Sequence, residues 1–295
     1  SLFTAGTEWQ RDMMTEKLIP ATGDASPILT YKQDGVTTLK MNRPERLNGW
    51  TMEMMNALKE GFKTAEKDDE TRVLVLTGAD PYYCAGVNLA ATLRLGHPRK
   101  LRAMILQYNQ ALFDMFLDFP KPLLVAVNGP AIGASVTSAT LCDAIIASEK
   151  ATFSTPFAAL RVPPEGCSSV HFARLMGQAN ADRMLGEEGW KPTAEEALEA
   201  GLIEWVVPHD NLGTEARRIA REWTNSGAQR SFRGGATREE LKAVNARESA
   251  ILANAFLSAA FIKAQFKFLW RKKKWGPSIT FLVMLITRPL WSRFL

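Results

Sequence analysis

The chain has 295 residues, 46% of them hydrophobic and 23% charged, with a formal net charge of +5. This is the composition of an ordinary soluble protein with one large domain or two modest ones. The longest apolar run, 279–287, is less than half of the ~20 residues that a membrane-spanning helix needs. Cys84, Cys142 and Cys167 have no paired spacing, and His97, His171 and His209 are scattered, which argues against a disulfide framework or a metal cluster.

The charge is unevenly spread. Residues 261–295 hold eight Lys/Arg and no Asp/Glu, whereas the first 260 residues carry 28 basic and 31 acidic groups. Such a basic end suits cofactor phosphates, anionic lipid or nucleic acid, or is simply a solvated cationic helix end.

Residues 1–26 read as a leader without the basic start and apolar stretch of a secretory signal. Residues 28–31 and 36–41 flank Asp34-Gly35 and predict a β-hairpin. Thr51 is placed to cap a helix to about Lys67, with Met54, Met55, Leu58 and Phe62 at helical spacing. Residues 73–77 predict a buried strand, 99–119 a helix stopped by Pro120 and Pro122, and 123–127 a second buried strand. A short helix over 134–141 and a third strand over 144–147 follow. The alternation argues α/β.

After Pro208 the pattern is helical. Ile251, Ala255, Ser258, Ile262, Phe266 and Leu269 predict one buried helical stripe, with Gly276-Pro277 as the break after it. Lys263, Lys267 and Arg271 form a cationic strip on that helix. Residues 279–286 are apolar and suit either packing against a neighbouring subunit or a membrane interface, the latter aided by Arg288, Trp291 and Arg293. The resulting division is a leader (1–26), a core (27–210) and a helical region (211–295).

Three segments stand out for chemistry. Cys84-Ala85-Gly86-Val87-Asn88-Leu89 and Asn128-Gly129-Pro130-Ala131-Ile132-Gly133-Ala134 are small-residue turns at strand ends. Glycine allows close backbone approach, and the residue after it presents a backbone N–H at a helix start, where donors are unpaired. Two such donors aimed at one point stabilise an oxyanion. The third segment, Pro163-Pro164-Glu165-Gly166-Cys167-Ser168-Ser169, holds a carboxylate that is either a base or the cap of the helix starting near Ser168.

In this order, together with Met41-Asn42-Arg43-Pro44, Leu47-Asn48, residues 74–78 and Leu141-Cys142-Asp143, the segments resemble the crotonase (enoyl-CoA hydratase/isomerase) family over about residues 27–225. The resemblance implies an α/β fold: a spiral of ββα units with a C-terminal helical segment used in trimer assembly, as a homotrimer or dimer of trimers. It implies an acyl-CoA substrate and no separate cofactor, CoA being part of the substrate. The oxyanion hole carries over to the N–H groups of Val87 and Ala134. The acyl-CoA path carries over to Leu47, Gly49, Ala85, Gly86, Val87, Asn88, Leu89 and Gly133.

Family hydratases use two glutamates, and the matching positions here are Thr137 and Phe157. Family Δ3,Δ2-enoyl-CoA isomerases place one glutamate in a segment similar to residues 164–169, which makes Glu165 the expected base for a 1,3-proton shift. Another crotonase reaction, or a silent acyl-CoA-binding scaffold, are the alternatives. Arg161 stands where relatives usually have Gly. Cys84, Cys167 and His171 read as packing residues, Asn88 as a local hydrogen-bonding residue, and Glu187 and Glu188 as a solvated pair. Relatives of this subtype work in peroxisomes or mitochondria, and Arg293-Phe294-Leu295 faintly resembles a Ser-Lys-Leu address. No nucleic-acid-binding module supports a role for the basic end there.

Overall fold

In the computed structural model, residues 26–87 and 97–295 are described. Asn88, Leu89 and nearly all of the expected leader therefore lie outside the described residues. The expected hairpin is present as β1 (Ile28–Gln33) and β2 (Val36–Met41), with Gln33 opposite Val36. Asp34 and Gly35 both have positive φ, 51° and 80°. That is the handedness that matches the twist of the flanking strands.

The remaining strands of the main sheet are β3 (Val73–Gly78), β4 (Leu123–Val127), β6 (Ala144–Ser148) and β8 (Trp205–Val207), in the order β1-β2-β3-β4-β6-β8. All neighbours after the hairpin are parallel. A second, two-stranded parallel sheet pairs β5 (Ala131–Ile132) with β7 (Phe153–Ser154).

Strand alternation divides the main sheet's side chains between two cores. Val73, Val75, Leu124, Ala126 and Ile146 face Leu212, Ala216, Ile219 and Ala220. Leu74, Leu76, Leu123, Val125 and Val127 face the larger core with Met54, Leu58, Phe62, Phe113 and Phe116.

The helices in chain order are α1 (Met52–Lys67), α2 (Pro98–Asp118), α3 (Ala134–Thr140), α4 (Phe157–Leu160), α5 (Ser168–Leu185), α6 (Ala194–Glu199), α7 (Leu212–Ser226), α8 (Arg238–Phe256), α9 (Ala259–Arg271) and α10 (Trp275–Trp291). Thr51 caps α1 as expected, its hydroxyl accepting from the Met54 N–H at 3.2 Å.

The region after residue 210 shares its cores with the rest. α7 covers one face of the sheet, and α8 runs along α2. There Asn245 Nδ2 donates to the Gln110 carbonyl (2.9 Å) and Asn109 Nδ2 donates to Ser249 Oγ (3.0 Å).

Two expectations for this region are corrected. The stripe from Ile251 to Leu269 does not lie on one helix, because α8 and α9 meet at 68°. The Ser258 hydroxyl accepts from the Phe261 N–H at 3.2 Å and starts a new helix. Ile251 is 49% exposed; Leu252, Ala253 and Phe256 face inward instead. The second helix break lies at Lys272–Lys274 rather than at Gly276-Pro277, with Lys273 at φ 56°. Gly276 and Pro277 fall in the first turn of α10, where the missing proline N–H costs nothing.

The chain beyond α7 is tied to the sheet by a buried ion pair. Arg230 and Asp143 are 2.8 Å apart, with side chains 3% and 7% exposed. Asp143 also accepts from the Leu123 N–H (2.8 Å) and the Ser231 N–H (2.6 Å), and Arg230 donates to the Leu141 carbonyl (2.7 Å). Removing one partner leaves a buried charge unanswered. Asp143→Ala is therefore expected to lower unfolding free energy by about 3–5 kcal/mol, measured as a shift of the urea midpoint at constant slope.

Candidate active site

The two glycine loops are laced together by their backbones. The Ile132 N–H donates to the Cys84 carbonyl at 3.0 Å, and Cys84 and Ala131 form a parallel bridge. Ser135 Oγ strengthens the junction, accepting from the Ile132 N–H (3.0 Å) and donating to the Cys84 carbonyl (3.2 Å). Gly86 has φ 81°, and a Cβ there would lie 2.6 Å from the Ile132 carbonyl oxygen. Only glycine permits that approach.

Gly133, at φ 63°, turns the chain into α3, so Ala134 is the first helical residue. Among the described residues, neither the Val87 N–H nor the Ala134 N–H donates a hydrogen bond. Both residues line the same cavity, of about 160 Å³. Two amides without an acceptor among the described residues at one apolar cavity are donors of the kind that an oxyanion requires.

Ala85, Gly86, Gly133 and Glu165 also line this cavity, so the structure brings together most of the expected site. Leu47 and Gly49 flank the loop instead of lining the cavity. The Leu47 carbonyl accepts from the Ala85 N–H (2.9 Å), and the Trp50 N–H donates to the Gly86 carbonyl (2.8 Å). Met52 and Met55 of α1 line the wall in their place, with Ile105 of α2 and Leu252 and Phe256 of α8. Phe157 lines the cavity, while Thr137 is wholly buried behind it.

Glu165 is 9% exposed. No group among the described residues donates to its carboxyl group. Burial, and then the like charge of Glu248, push its pKa up to about 8. It does not cap α5; that role belongs to Glu248 of α8, whose two carboxyl oxygens accept from the Cys167 N–H (2.6 Å) and the Ser169 N–H (2.9 Å). Burial pushes the pKa of Glu248 up, and the Ser169 and Cys167 amides at the positive end of the helix oppose that shift.

Between the two glutamates the chain is tightly wound. Gly166 and Cys167 both lie in the left-handed region, at φ 64° and 66°. Ser168 Oγ donates to the Glu165 carbonyl at 2.7 Å, which fixes the backbone of Glu165. Glu248 was not among the sequence candidates. It lies 81 residues from Cys167, and nothing local marks it.

The remaining candidates are structural. Cys84 is buried, and desolvation pushes its thiol up to about 12; Cys167 is also pushed up by burial, and its Sγ donates to the Leu241 carbonyl at 3.1 Å. Neither is a thiolate nucleophile. His171 is fully buried, bonded through Nε2 to the Thr140 carbonyl (3.1 Å), with its pKa pushed down by desolvation to about 4. Arg161 ends α4 at φ 57°, a conformation that favours glycine, and its guanidinium lies 3.7 Å from Glu187 on the surface.

Two glycine loops laced side by side and one carboxyl, Glu165, thus meet at a single apolar cavity. The chain belongs to the enoyl-CoA hydratase/isomerase family, whose model matches residues 31–275, and the fold is the crotonase fold. The match runs well past residue 225, where the motif resemblance ends.

The chain is 37% identical to human "Enoyl-CoA delta isomerase 2" over 270 residues, covering 86% of this chain and 66% of that protein. It is 33% identical to mouse "Enoyl-CoA delta isomerase 3, peroxisomal" over 263 residues, covering 85% and 80%. The chain thus spans just under two thirds of the human relative's length. Among solved structures, an enoyl-CoA hydratase/isomerase from Pseudoalteromonas atlantica T6c superposes with a TM-score of 0.69 at 29% identity, covering 84% of this chain and 97% of that one.

Two stability measurements follow from the site. Because the folded pKa of Glu165 lies above the unfolded value of 4.5, the native state binds the extra proton, and stability falls as pH rises between the two values, by about 1.4 kcal/mol per unit. Glu165→Gln lacks this dependence, so its unfolding free energy is expected to overtake the wild type's increasingly as pH is raised through that window. Arg161→Gly is expected to be neutral or to stabilise by up to ~1 kcal/mol in the same denaturation assay.

Proposed function

We propose that the protein is a Δ3,Δ2-enoyl-CoA isomerase that moves the double bond of a 3-enoyl-CoA to the 2-trans position with one base. The observation that carries this reading is that Glu165 is the sole carboxyl lining the cavity among the described residues, and that Val87 and Ala134, with undonated amides, line it too. The thioester oxygen accepts from those two amides. Glu165, as carboxylate, then takes a proton from C2, and the C2–H electron pair delocalises into a dienolate whose charge rests on the oxygen. The new carboxylic acid returns the proton to C4, the C=C bond re-forms between C2 and C3, and Glu165 is again a carboxylate. No atom is gained or lost.

A base with a pKa near neutrality suits both halves of this exchange. The apolar wall of Met52, Met55, Ile105, Leu252 and Phe256 accommodates the acyl chain and excludes water. Thr137 and Phe157 supply no second carboxyl to activate water for hydration. A trimer or dimer of trimers, with CoA serving only as part of the substrate, belongs to the same reading, as does a peroxisomal or mitochondrial setting.

Glu165→Gln is expected to retain fold and acyl-CoA binding and to lose at least ~10³-fold in turnover of 3-hexenoyl-CoA. Turnover near the wild-type rate would refute the assignment. Hydration of crotonyl-CoA is expected to stay far below the kcat of about 10 s⁻¹ ordinary for enzymes, read as loss of thioester enone absorbance.

The pH profile tests the partner glutamate. Activity requires ionised Glu165, so kcat/KM of the wild type is expected to rise with pH through a value near 8. Glu248→Gln removes the like charge, and the acidic limb is expected to move to lower pH. An unmoved limb would show that Glu248 acts only as a helix cap.

A further inference from the structure

The outer face of α10 is apolar and uncovered. Ile279 (54% exposed), Val283 (46%), Ile286 (68%) and Leu290 (68%) recur at i, i+4, i+7 and i+11 and form one stripe. Trp275 heads the stripe, and Phe294 and Leu295 lie exposed beyond its end. The opposite side of the helix, with Ser278, Phe281 and Met284, is buried. An exposed apolar stripe of this length marks an interaction surface.

The turn joining α9 to α10 is as unusual as the stripe. Arg271, Lys272, Lys273 and Lys274 are all exposed there. They are bracketed by Trp270 and Trp275, whose rings meet edge to face at 4.7 Å and are each about half exposed. Cationic side chains beside amphipathic indole rings are the composition of a lipid headgroup boundary. Two side chains once candidates for such contact are otherwise engaged: Arg288 Nε donates to the Leu257 carbonyl (3.1 Å) and Trp291 Nε1 to the Met284 carbonyl (3.1 Å). Arg293 remains exposed.

Charge selects among occupants. Residues 261–295 contain eight cations and no carboxylate. Two copies packed along this stripe have no acidic group in that segment to answer the cationic turns, whereas an anionic lipid surface supplies one per headgroup. Spanning is ruled out by geometry: α10 has 17 residues, about 25 Å of helix, and one side is committed to the core. Almost all of α10 also lies beyond the family match, which ends at residue 275. We propose that the outer face of α10 and the Trp270–Trp275 turn seat the protein in the plane of an anionic lipid surface.

Co-sedimentation of the full chain with phosphatidylcholine vesicles, with and without phosphatidylserine, tests this. Binding is expected only with phosphatidylserine and is expected to weaken with salt. The double variant I286D/L290D, at the two most exposed positions, is expected to lose binding, with its melting temperature and light-scattering mass unchanged. K272E/K273E/K274E, which leaves the stripe intact, is expected to bind more than about tenfold more weakly, since each cation near such a surface contributes about 1 kcal/mol. The proposal is overturned if the wild type ignores the anionic vesicles or if both variants bind as it does. It is equally overturned if I286D/L290D lowers the mass of the assembly, which would show that a second copy covers the stripe.

Discussion

A carboxylate removed from water must be given donors or give up its charge. Two glutamates meet that constraint in opposite ways a few residues apart in space. Glu248 receives the Cys167 and Ser169 amides at the positive end of α5. Glu165, at the other end of the same turn, receives no donor among the described residues. The result is a carboxyl held by two amides beside one that is held by none among the described residues. Glu248 also holds the left-handed turn at Gly166 and Cys167 that places Glu165 against the cavity. α8, which carries Glu248, supplies Leu252 and Phe256 to the same cavity. One helix thus forms part of the cavity wall and helps to raise the pKa of the carboxyl that lines it.

Much of this was legible in the sequence because the signals are local. Asp34-Gly35 between two β-rich runs, Thr51 ahead of an amphipathic run, and glycines at the ends of strands each specify a backbone conformation within a few residues. The two glycine loops are of that kind, and their backbone lacing follows once parallel strands place them side by side. Glu165 was legible by its segment, and only the packing of α8 shows that the capping role falls to Glu248 instead. Glu248 was invisible for a physical reason: its partners are backbone amides, which carry no sequence identity. The same applies to Met52 and Met55, whose place in the cavity wall depends on how α1 sits over the loop.

The misread helices share a cause. Periodicity continues across Leu257 and Ser258, so a stripe can be drawn through a corner that the Ser258 hydroxyl creates. At the next turn, Gly276-Pro277 resembles a stop, but proline is as compatible with a helix start as with an end. The positive φ of Lys273, on a residue that disfavours it, marks the actual break. Composition alone identified this region as cationic and apolar. Packing decided which of its side chains face inward, and it turned Arg288 and Trp291 toward the protein.

The close fit behind Glu165 bears on how such a site arises. A Cβ on Gly166 would lie 2.5 Å from both Thr137 Oγ1 and Phe113 Cε1. Positions 137 and 166 therefore share one volume. A longer side chain at 137 must displace the turn that carries Glu165, and any side chain at 166 must displace Thr137. Neither change is tolerated without the other parts yielding, so the two positions are epistatic. A change of size at either position therefore calls for a paired change at the other.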